Sequence, residues 1–441
     1  MFAGCTVFSQ LFEFLPRREF RECVLRYDGD QRLRGFSCRD QFLTLAFAQL
    51  TFRESLRDIE TCLRSFGPKL DHAGFRGRVS KSTLADANRV HDWRIFADYA
   101  QVLISHARKL YAHDPFGVTL ANTAYALDST TIDLCLSVFP WAKFRRRKAA
   151  VKLHTLLDLR GNIPCFIHVS QGKVHDVNVL DSLPVEPGAY YVMDRGYLDF
   201  QRLYRFQTAG AFFVIRSKRN LDFRRIRRQP VDRDAGLRSD TLIALNGVQT
   251  SKLYPGRLRR IAFYHAEHDR RLVFLTNHLT LPALTVTQLY RSRWQVELFF
   301  KWIKQNLRIK AFYGTTENAV KTQVWIAISV YVLVAIVRKE LKVERSLAEI
   351  LQILSLTLFE KTPLIQALAH ENDPNETHTL PNQRSLFDLE PDSTVRENVL
   401  MCVLFGELSI AERVLKYRVV YSHRQARELG VFSFVAGFLR L

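Results

Sequence analysis

The apolar positions of this chain change their spacing several times, and those changes outline its organisation. Up to about residue 120 they keep helical spacing. Phe42 to Leu50 is strongly apolar, Ser55 is placed to cap a helix running through Cys62, and Gly67-Pro68 stops it. Beyond a loop with Gly74 and Gly77, the segment Ser80 to Thr83 offers a second cap, for a helix over Leu84 to Tyr99. From about residue 121 the pattern turns β-like. Tyr125 to Leu134, Ala149 to Leu159 and Ile163 to Val169 read as strands, parted by short turns such as Arg160-Gly161-Asn162. A helix opened by Asp176 follows, then a strand over Tyr190 to Met193, a helix over Asp199 to Thr208 and a strand over Ala211 to Ile215. Residues 216–275 are basic (Arg224, Arg225, Arg227, Arg228) and broken by Pro230, Gly236, Gly247 and Gly256. They are β-like at Arg259 to Tyr264 and Arg271 to Leu275. From Pro282 helical spacing returns, with one helix over 290–304 and an apolar one near 330, before a polar stretch at 371–385.

Three strands, a helix, a strand, a helix and a strand is the order of a ribonuclease-H-like α/β domain, an order that other α/β folds share. The expected architecture is therefore α/β. Residues 1–120 form a helical domain, 121–215 the first part of the core and 216–282 a β-rich insertion. Residues 283–389 form the second part of the core with C-terminal helices, and 390–441 an atypical tail. In the N-terminal part, two helices joined by a loop carrying Lys69, Arg76, Arg78 and Lys81 resemble a helix-turn-helix, although any small bundle gives that pattern. The longest uncharged apolar run, Val324 to Val337, is too short for a bilayer and is flanked by Lys321 and Arg338, which predicts a buried core helix.

Charge narrows the class of partner. The 441 residues carry 64 Lys and Arg against 44 Asp and Glu, a net charge of +20, and the isoelectric point is about 9.8. A surplus of that size points to a polyanion, nucleic acid above all. Seven cysteines (Cys5, Cys23, Cys38, Cys62, Cys135, Cys165, Cys402) are scattered without a CxxC pair. They predict a reducing compartment, with neither a zinc site nor a disulfide framework. Met1 to Pro16 lacks a basic start and has Glu13 inside its apolar run, so no signal peptide is read there. The expectation is a soluble cytoplasmic protein that engages no membrane.

The chemistry concentrates in residues 290–304. A helix advances about 100° per residue, so Tyr290, Arg293, Glu297 and Lys304 share one stripe roughly 60° wide. Val296, Phe299, Phe300, Ile303 and Leu307 give the same helix an apolar face. Alone, this would suit an amphipathic helix with solvated charges. Two aspartates change its weight: Asp128 within the first predicted strand, and Asp194 at the end of Tyr190 to Met193, where α/β sheets commonly hold their catalytic groups. Asp133 and Asp199 lie five residues from those two, an odd number that would turn them to the other face. Three converging carboxylates need cations, and hard oxygen ligands favour Mg²⁺ or Mn²⁺. Two such ions activate a water or 3′-hydroxyl and stabilise the leaving oxygen of a phosphodiester. Arg293, Lys304 and Tyr290 are then placed to hold phosphate oxygens. The run Lys143, Phe144, Arg145, Arg146, Arg147, Lys148, expected in a turn between two strands, is a further phosphate contact or a solvated charge run. His154 and His175 lack ligand-spaced partners and read as structural.

Asp128, Asp194 and Glu297 resemble a D-D-E triad. Tyr290, Arg293, Glu297 and Lys304 at their spacing resemble the Tyr-Arg-Glu-Lys signature of insertion-sequence-four-type bacterial DDE transposases. Leu127-Asp128-Ser129-Thr130 and Asp194-Arg195-Gly196-Tyr197 are similar to that family's flanks, and the likeness spans roughly residues 10 to 389. It implies a ribonuclease-H-like core, metal-dependent cut at the terminal inverted repeats of double-stranded DNA, and strand transfer into target DNA through a hairpinned end. It also implies a dimer in the synaptic complex. An aromatic in the insertion captures a flipped base in relatives, and Phe223, Tyr254, Phe263 and Tyr264 stay unassigned to that role. A metal-dependent nuclease of the same fold, or a retired DNA-binding protein, are the alternatives. Asn382 to Leu389 resembles the closing residues of such enzymes, so residues 390–441 read as read-through or as an accessory segment, dispensable on truncation after Glu390.

Overall fold

The computed structural model describes residues 5–369, except 32–34, 68, 146–147, 267–268 and 308–311. The polar stretch at 371–385, the closing motif at 382–389, the tail at 390–441 and Cys402 lie outside the described residues, as do Arg146 and Arg147.

Ala124, Tyr125, Ala126 and Leu127 open strand β1 (Ala124–Leu134) and are all buried, the pattern of a strand covered on both faces. Around it lie β2 (Lys143–Arg145), β3 (Lys148–Asp158), β4 (Ile163–Gln171), β5 (Tyr190–Met193) and β6 (Phe212–Arg216). The sheet continues with β7 (Phe223–Gln229), β8 (Leu237–Leu245), β9 (Leu258–His265) and β10 (Arg270–Thr276). All ten form one sheet in the order β2-β3-β1-β5-β6-β10-β9-β8-β7, with β4 also on β3. β3 runs antiparallel to β1 and β4 antiparallel to β3, while β5 and β6 follow β1 in parallel. The five strands β4-β3-β1-β5-β6, with only β3 reversed among them, have the topology of a ribonuclease-H-like core. The strands of residues 216–275 extend that sheet, because β10 pairs with β6 through Leu275 opposite Ile215. A buried ion pair of Arg259 with Asp240 (Nε to Oδ1 2.8 Å) ties β9 to β8.

Alternation along the strands builds two core layers. Leu127, Tyr191, Met193 and Phe213 pack with Leu203 and Phe206 of the Phe200–Thr208 helix. Ala126, Val192 and Val214 pack on the other face, in the layer of Tyr290, Val296 and the long Glu317–Glu340 helix. That helix is long and apolar enough to cross a membrane, yet every residue from Val324 to Val337 is buried within the protein, as its sequence predicts. The Tyr111 hydroxyl donates to the Ala335 carbonyl (2.9 Å), locking the Trp93–Tyr111 helix against it.

Caps set the helix boundaries. Ser55 accepts from Asp58 N (3.1 Å), and Gly67, at φ 47°, ends Leu56–Phe66. Ser80 accepts from Thr83 N (3.1 Å) to start Lys81–Val90. The single helix expected to Tyr99 breaks at His91. Asp92 caps a new helix by accepting from Arg94 N (2.9 Å), while the buried His91 Nδ1 lies 2.7 Å from Gln41 Oε1. Asp199 caps Phe200–Thr208, accepting from Arg202 N (3.0 Å). Asp176 does not cap a helix. It begins a short 3₁₀ segment, Asp176–Asp181, because its carboxylate is taken by Ser129 Oγ (2.8 Å) and Lys152 Nζ (3.0 Å). The six described cysteines are free thiols.

His154 is fully buried on β3, with Nε2 2.9 Å from Ser170 Oγ. Burial lowers its pKa to about 4, with Asp176 pulling weakly the other way. An unfolded histidine takes up its proton near pH 6.5, so between there and about pH 4 the unfolded chain binds a proton that the folded one refuses. Stability therefore falls as pH drops through that window, by up to about 3 kcal/mol. His154→Gln should show a smaller fall in Tm between pH 7 and pH 5 than the natural chain. Equal falls would remove His154 from the account.

Candidate active site

Leu127 and Met193 lie side by side on the parallel strands β1 and β5, and Asp128 and Asp194 follow them by one residue. Asp128 thus leaves the sheet on the face of Ala126, the side of the Glu317–Glu340 helix. Glu297 arrives from above, on the first turn of the Trp294–Asn306 helix.

The continuous helix expected over 290–304 is divided. Tyr290 lies in Ala283–Ser292, Glu297 in Trp294–Asn306, and Arg293 is the joint. Hydrogen bonds there span three residues, Arg293 N to Tyr290 O (3.2 Å) and Val296 N to Arg293 O (3.1 Å), a tightened turn that redirects the axis. The Arg293 side chain sits at this joint. It is only 14% exposed and reaches between two carboxylates, Nη1 to Asp128 Oδ2 (2.5 Å) and Nη2 to Glu297 Oε1 (2.6 Å). The Tyr290 hydroxyl donates to Asp194 Oδ1 (3.0 Å). Lys304 Nζ donates to the Thr131 carbonyl (2.9 Å), three residues along β1 from Asp128. Asp128, Asp194, Glu297, Tyr290 and Arg293 are thus gathered in one cluster, and Lys304 is anchored farther along β1.

Burial pushes the Asp128 carboxyl up; Arg293 and the Ser129 N–H oppose that, and Glu297 and Asp194 add to it. Burial likewise drives Tyr290 up to about 12, helped by the Asp194 charge, so it stays a phenol that donates. For Arg293 burial works against the charge, but Asp128, Tyr290 and Glu297 outweigh it. The cluster holds more acid than its one guanidinium neutralises.

No three His, Cys, Asp or Glu side chains among the described residues are arranged to close round an ion, since Arg293 stands between Asp128 and Glu297. The donor chemistry nonetheless fits a hard divalent cation: three mutually repelling carboxylates, with the Arg293 guanidinium in their midst. Arg293 Nε is buried without a hydrogen-bond partner, so the present pose leaves that side chain incompletely satisfied. The residues fit a metal once Arg293 gives way.

Some neighbours carry no motif signal. Ser129, whose N–H holds Asp128 Oδ1 (2.8 Å), is itself fixed by Asp176, and Asp176 by Lys152. Trp294, next to Arg293 in sequence, is 57% exposed, where an indole would usually be core. The basic run forms a hairpin of its own and not a simple turn: Lys143 pairs with Ala149 and Arg145 with Lys148. Lys143, Arg145 and Lys148 are exposed. Ala149 lies opposite Leu134, six residues along β1 from Asp128, which places the hairpin about 20 Å beyond the carboxylates. Lys69, Arg76, Arg78 and Lys81 are exposed in the N-terminal domain. Tyr254 is buried against Phe213 and Tyr204, Phe223 and Phe263 are half-buried, and Tyr264 donates to Asp269 (2.7 Å).

Residues 121–333, which hold Asp128, Asp194 and Glu297, match the model of the transposase DDE domain. Over 302 residues the chain is 31% identical to a protein of Sinorhizobium fredii named as a transposase, covering 68% of this chain and 82% of that one. The chain belongs to the DDE transposases, of the insertion-sequence-four type. The transposase is also 25% identical over 304 residues to a protein of Synechocystis named for insertion sequence element IS4SA, covering 66% and 80% of the two chains. It is 31% identical over 211 residues to one of Geobacillus stearothermophilus named for IS5377, covering 47% and 54%. Residues 3–76 match a family described only as a domain of unknown function. Among solved structures, a piggyBac transposase synaptic complex with hairpin DNA is similar at a TM-score of 0.44 and 10% identity, over 89% of this chain and 87% of that one. The transposase is a DNA-acting enzyme whose family works with a divalent metal.

Proposed function

We propose that Asp128, Asp194 and Glu297 are the catalytic carboxylates of this transposase and its ligands for Mg²⁺, with Mn²⁺ able to substitute. What carries this reading is the Arg293 fork: one guanidinium spans Asp128 of β1 and Glu297 of the helix, next to Asp194 and Tyr290. When bound, the metal activates a water or 3′-hydroxyl and stabilises the leaving oxygen in an in-line displacement. Arg293, released from the carboxylates, turns its fork to a phosphate, where two parallel hydrogen bonds fix orientation as well as charge. Lys304 supplies a point charge and Tyr290 a neutral donor to the same terminal phosphates. Trp294 presents an indole face on which an unpaired base can stack.

Lys143, Arg145, Arg146, Arg147 and Lys148 grip the DNA backbone farther along, and the N-terminal helices with Lys69, Arg76, Arg78 and Lys81 bind the terminal inverted repeats. The reaction runs through a hairpinned end, in a dimer that pairs two ends, on the nucleoid in the cytoplasm and at no membrane. A metal-dependent nuclease without strand transfer is the rival activity. The two part on one assay. A recessed 3′-hydroxyl end supplied with plasmid and Mg²⁺ should become covalently joined, and joining should weaken steeply with salt through counterion release. Nicking without joined product would favour the nuclease.

A further inference from the structure

The insertion strands carry a charge cluster that the carboxylate site does not use. Residues paired across neighbouring strands point to the same face. Phe223, Arg225 and Arg228 of β7 pair with Leu245, Ile243 and Thr241 of β8. Thr241 pairs with Arg260 of β9, and Tyr264, four residues on from Arg260, pairs with Arg271 of β10. Arg225 and Arg228 are three apart and would face opposite ways in a regular strand. A bulge between Arg225 and Arg227 inserts one residue and brings both to one side. Arg225, Arg228, Arg260 and Arg271 therefore share a face, with Arg238 over the Tyr264 ring (5.1 Å) at its border.

It is the face of Ile243, Leu275 and Leu127, opposite the one from which Asp128 projects. Arg225, Arg228 and Arg271 are exposed, and Arg260 is half-buried over the Phe223 ring (5.2 Å). Burial, then Arg271 and Arg225, hold the Arg260 pKa below its usual value, so its electrostatic neighbours are cations. Among the described residues none of these five arginines forms an ion pair, and Asp269 at the margin accepts from Tyr264. From β7 to β10 is three strand spacings, about 14 Å, close to the width of a major groove at about 12 Å. Arginines at the two sides can thus meet phosphates of both strands of a duplex.

We propose that this outer face of the insertion binds the backbone of a second DNA duplex, distinct from the one whose phosphodiester lies at the carboxylates. The inference rests on reading Asp128, Asp194 and Glu297 as the active site. A straight duplex lying on the Asp128 side of the sheet does not reach the opposite face, so the two surfaces hold separate segments. The contacts are to phosphate and carry no base sequence.

The test uses the full chain bound first to a labelled transposon-end duplex, then titrated with an unrelated duplex at several salt concentrations. In the triple variant Arg225→Gln, Arg228→Gln, Arg271→Gln, capture of the second duplex should weaken about tenfold or more, and the slope of log affinity against log salt should shrink by about 2 to 3. End binding and end cleavage should stay within about twofold of the natural chain, which also certifies the fold. Unchanged capture and slope in the variant would overturn the proposal, as would an equal loss of end binding, which would assign the face to the first duplex. Capture is read without catalysis. Failure of the carboxylate reading would instead appear as an Asp128→Asn chain that captures both duplexes and still cuts the end.

Discussion

Asp128→Asn, Asp194→Asn and Glu297→Gln are each expected to lose metal-dependent cleavage of a transposon end by about three orders of magnitude or more. Such a loss corresponds to roughly 4 kcal/mol of transition-state stabilisation. Binding of the end should remain within a few-fold. The amides keep the shape of the side chains but remove the charge that attracts a divalent cation, and the DNA is held elsewhere by cations. Asp128 is the sharpest of the three, because burial already works against its ionised form and Arg293 compensates. Its amide relieves that cost, so the variant should fold at least as well as the natural chain while failing to cut. Cleavage of a labelled end in Mg²⁺ measures the first quantity and a filter or mobility assay the second. Near-normal nicking by any one of the three would take that residue out of the site.

Arg293→Ala is expected to act on stability and chemistry together. Its guanidinium is the cation between Asp128 and Glu297, and removing one partner of a buried pair leaves the other charges uncompensated. The metal-free variant should lose roughly 2–3 kcal/mol, less than a fully buried pair would cost because Glu297 is a third exposed. A divalent ion supplies the missing charge, so the rise in Tm on adding Mg²⁺ or Mn²⁺ should be larger in Arg293→Ala than in the natural chain. End cleavage should fall as well, and Arg293→Lys should restore stability better than activity, since a point charge cannot make two parallel bonds to one phosphate. A lower Tm with no added response to metal would mean that Arg293 is a structural strut.

Much of this architecture was legible because local signals and tertiary packing agree. β1, β3, β5 and the buried Val324 to Val337 run announce themselves by burial patterns that follow from alternation or continuous apolarity. Ser55 and Ser80 cap where their side chains reach a backbone N–H three residues on. The misreadings have one physical origin. Asp176 has the composition of a cap, but Lys152 and Ser129, distant in sequence, claim its carboxylate. The helix over 290–304 keeps its apolar period across Arg293, and only the position of the two carboxylates reveals that the axis turns there. Spacing along one helix gathers Tyr290, Arg293 and Glu297 correctly. It cannot say that the arginine points at acid and not yet at phosphate. The extension of the core sheet by the insertion is hidden for the same reason, since the β6–β10 pairing joins residues about sixty positions apart.

The sheet path ends on one side in β7, which carries Arg224, Arg225, Arg227 and Arg228. An unpaired strand invites a strand from a neighbouring copy. On β7 that invitation is met by repulsion between like charges and by the bulge, which spoils the register that a visiting strand would need. The β7 edge is thus closed to a strand from a second copy by its own charge and register, a safeguard against edge pairing that needs no dedicated segment.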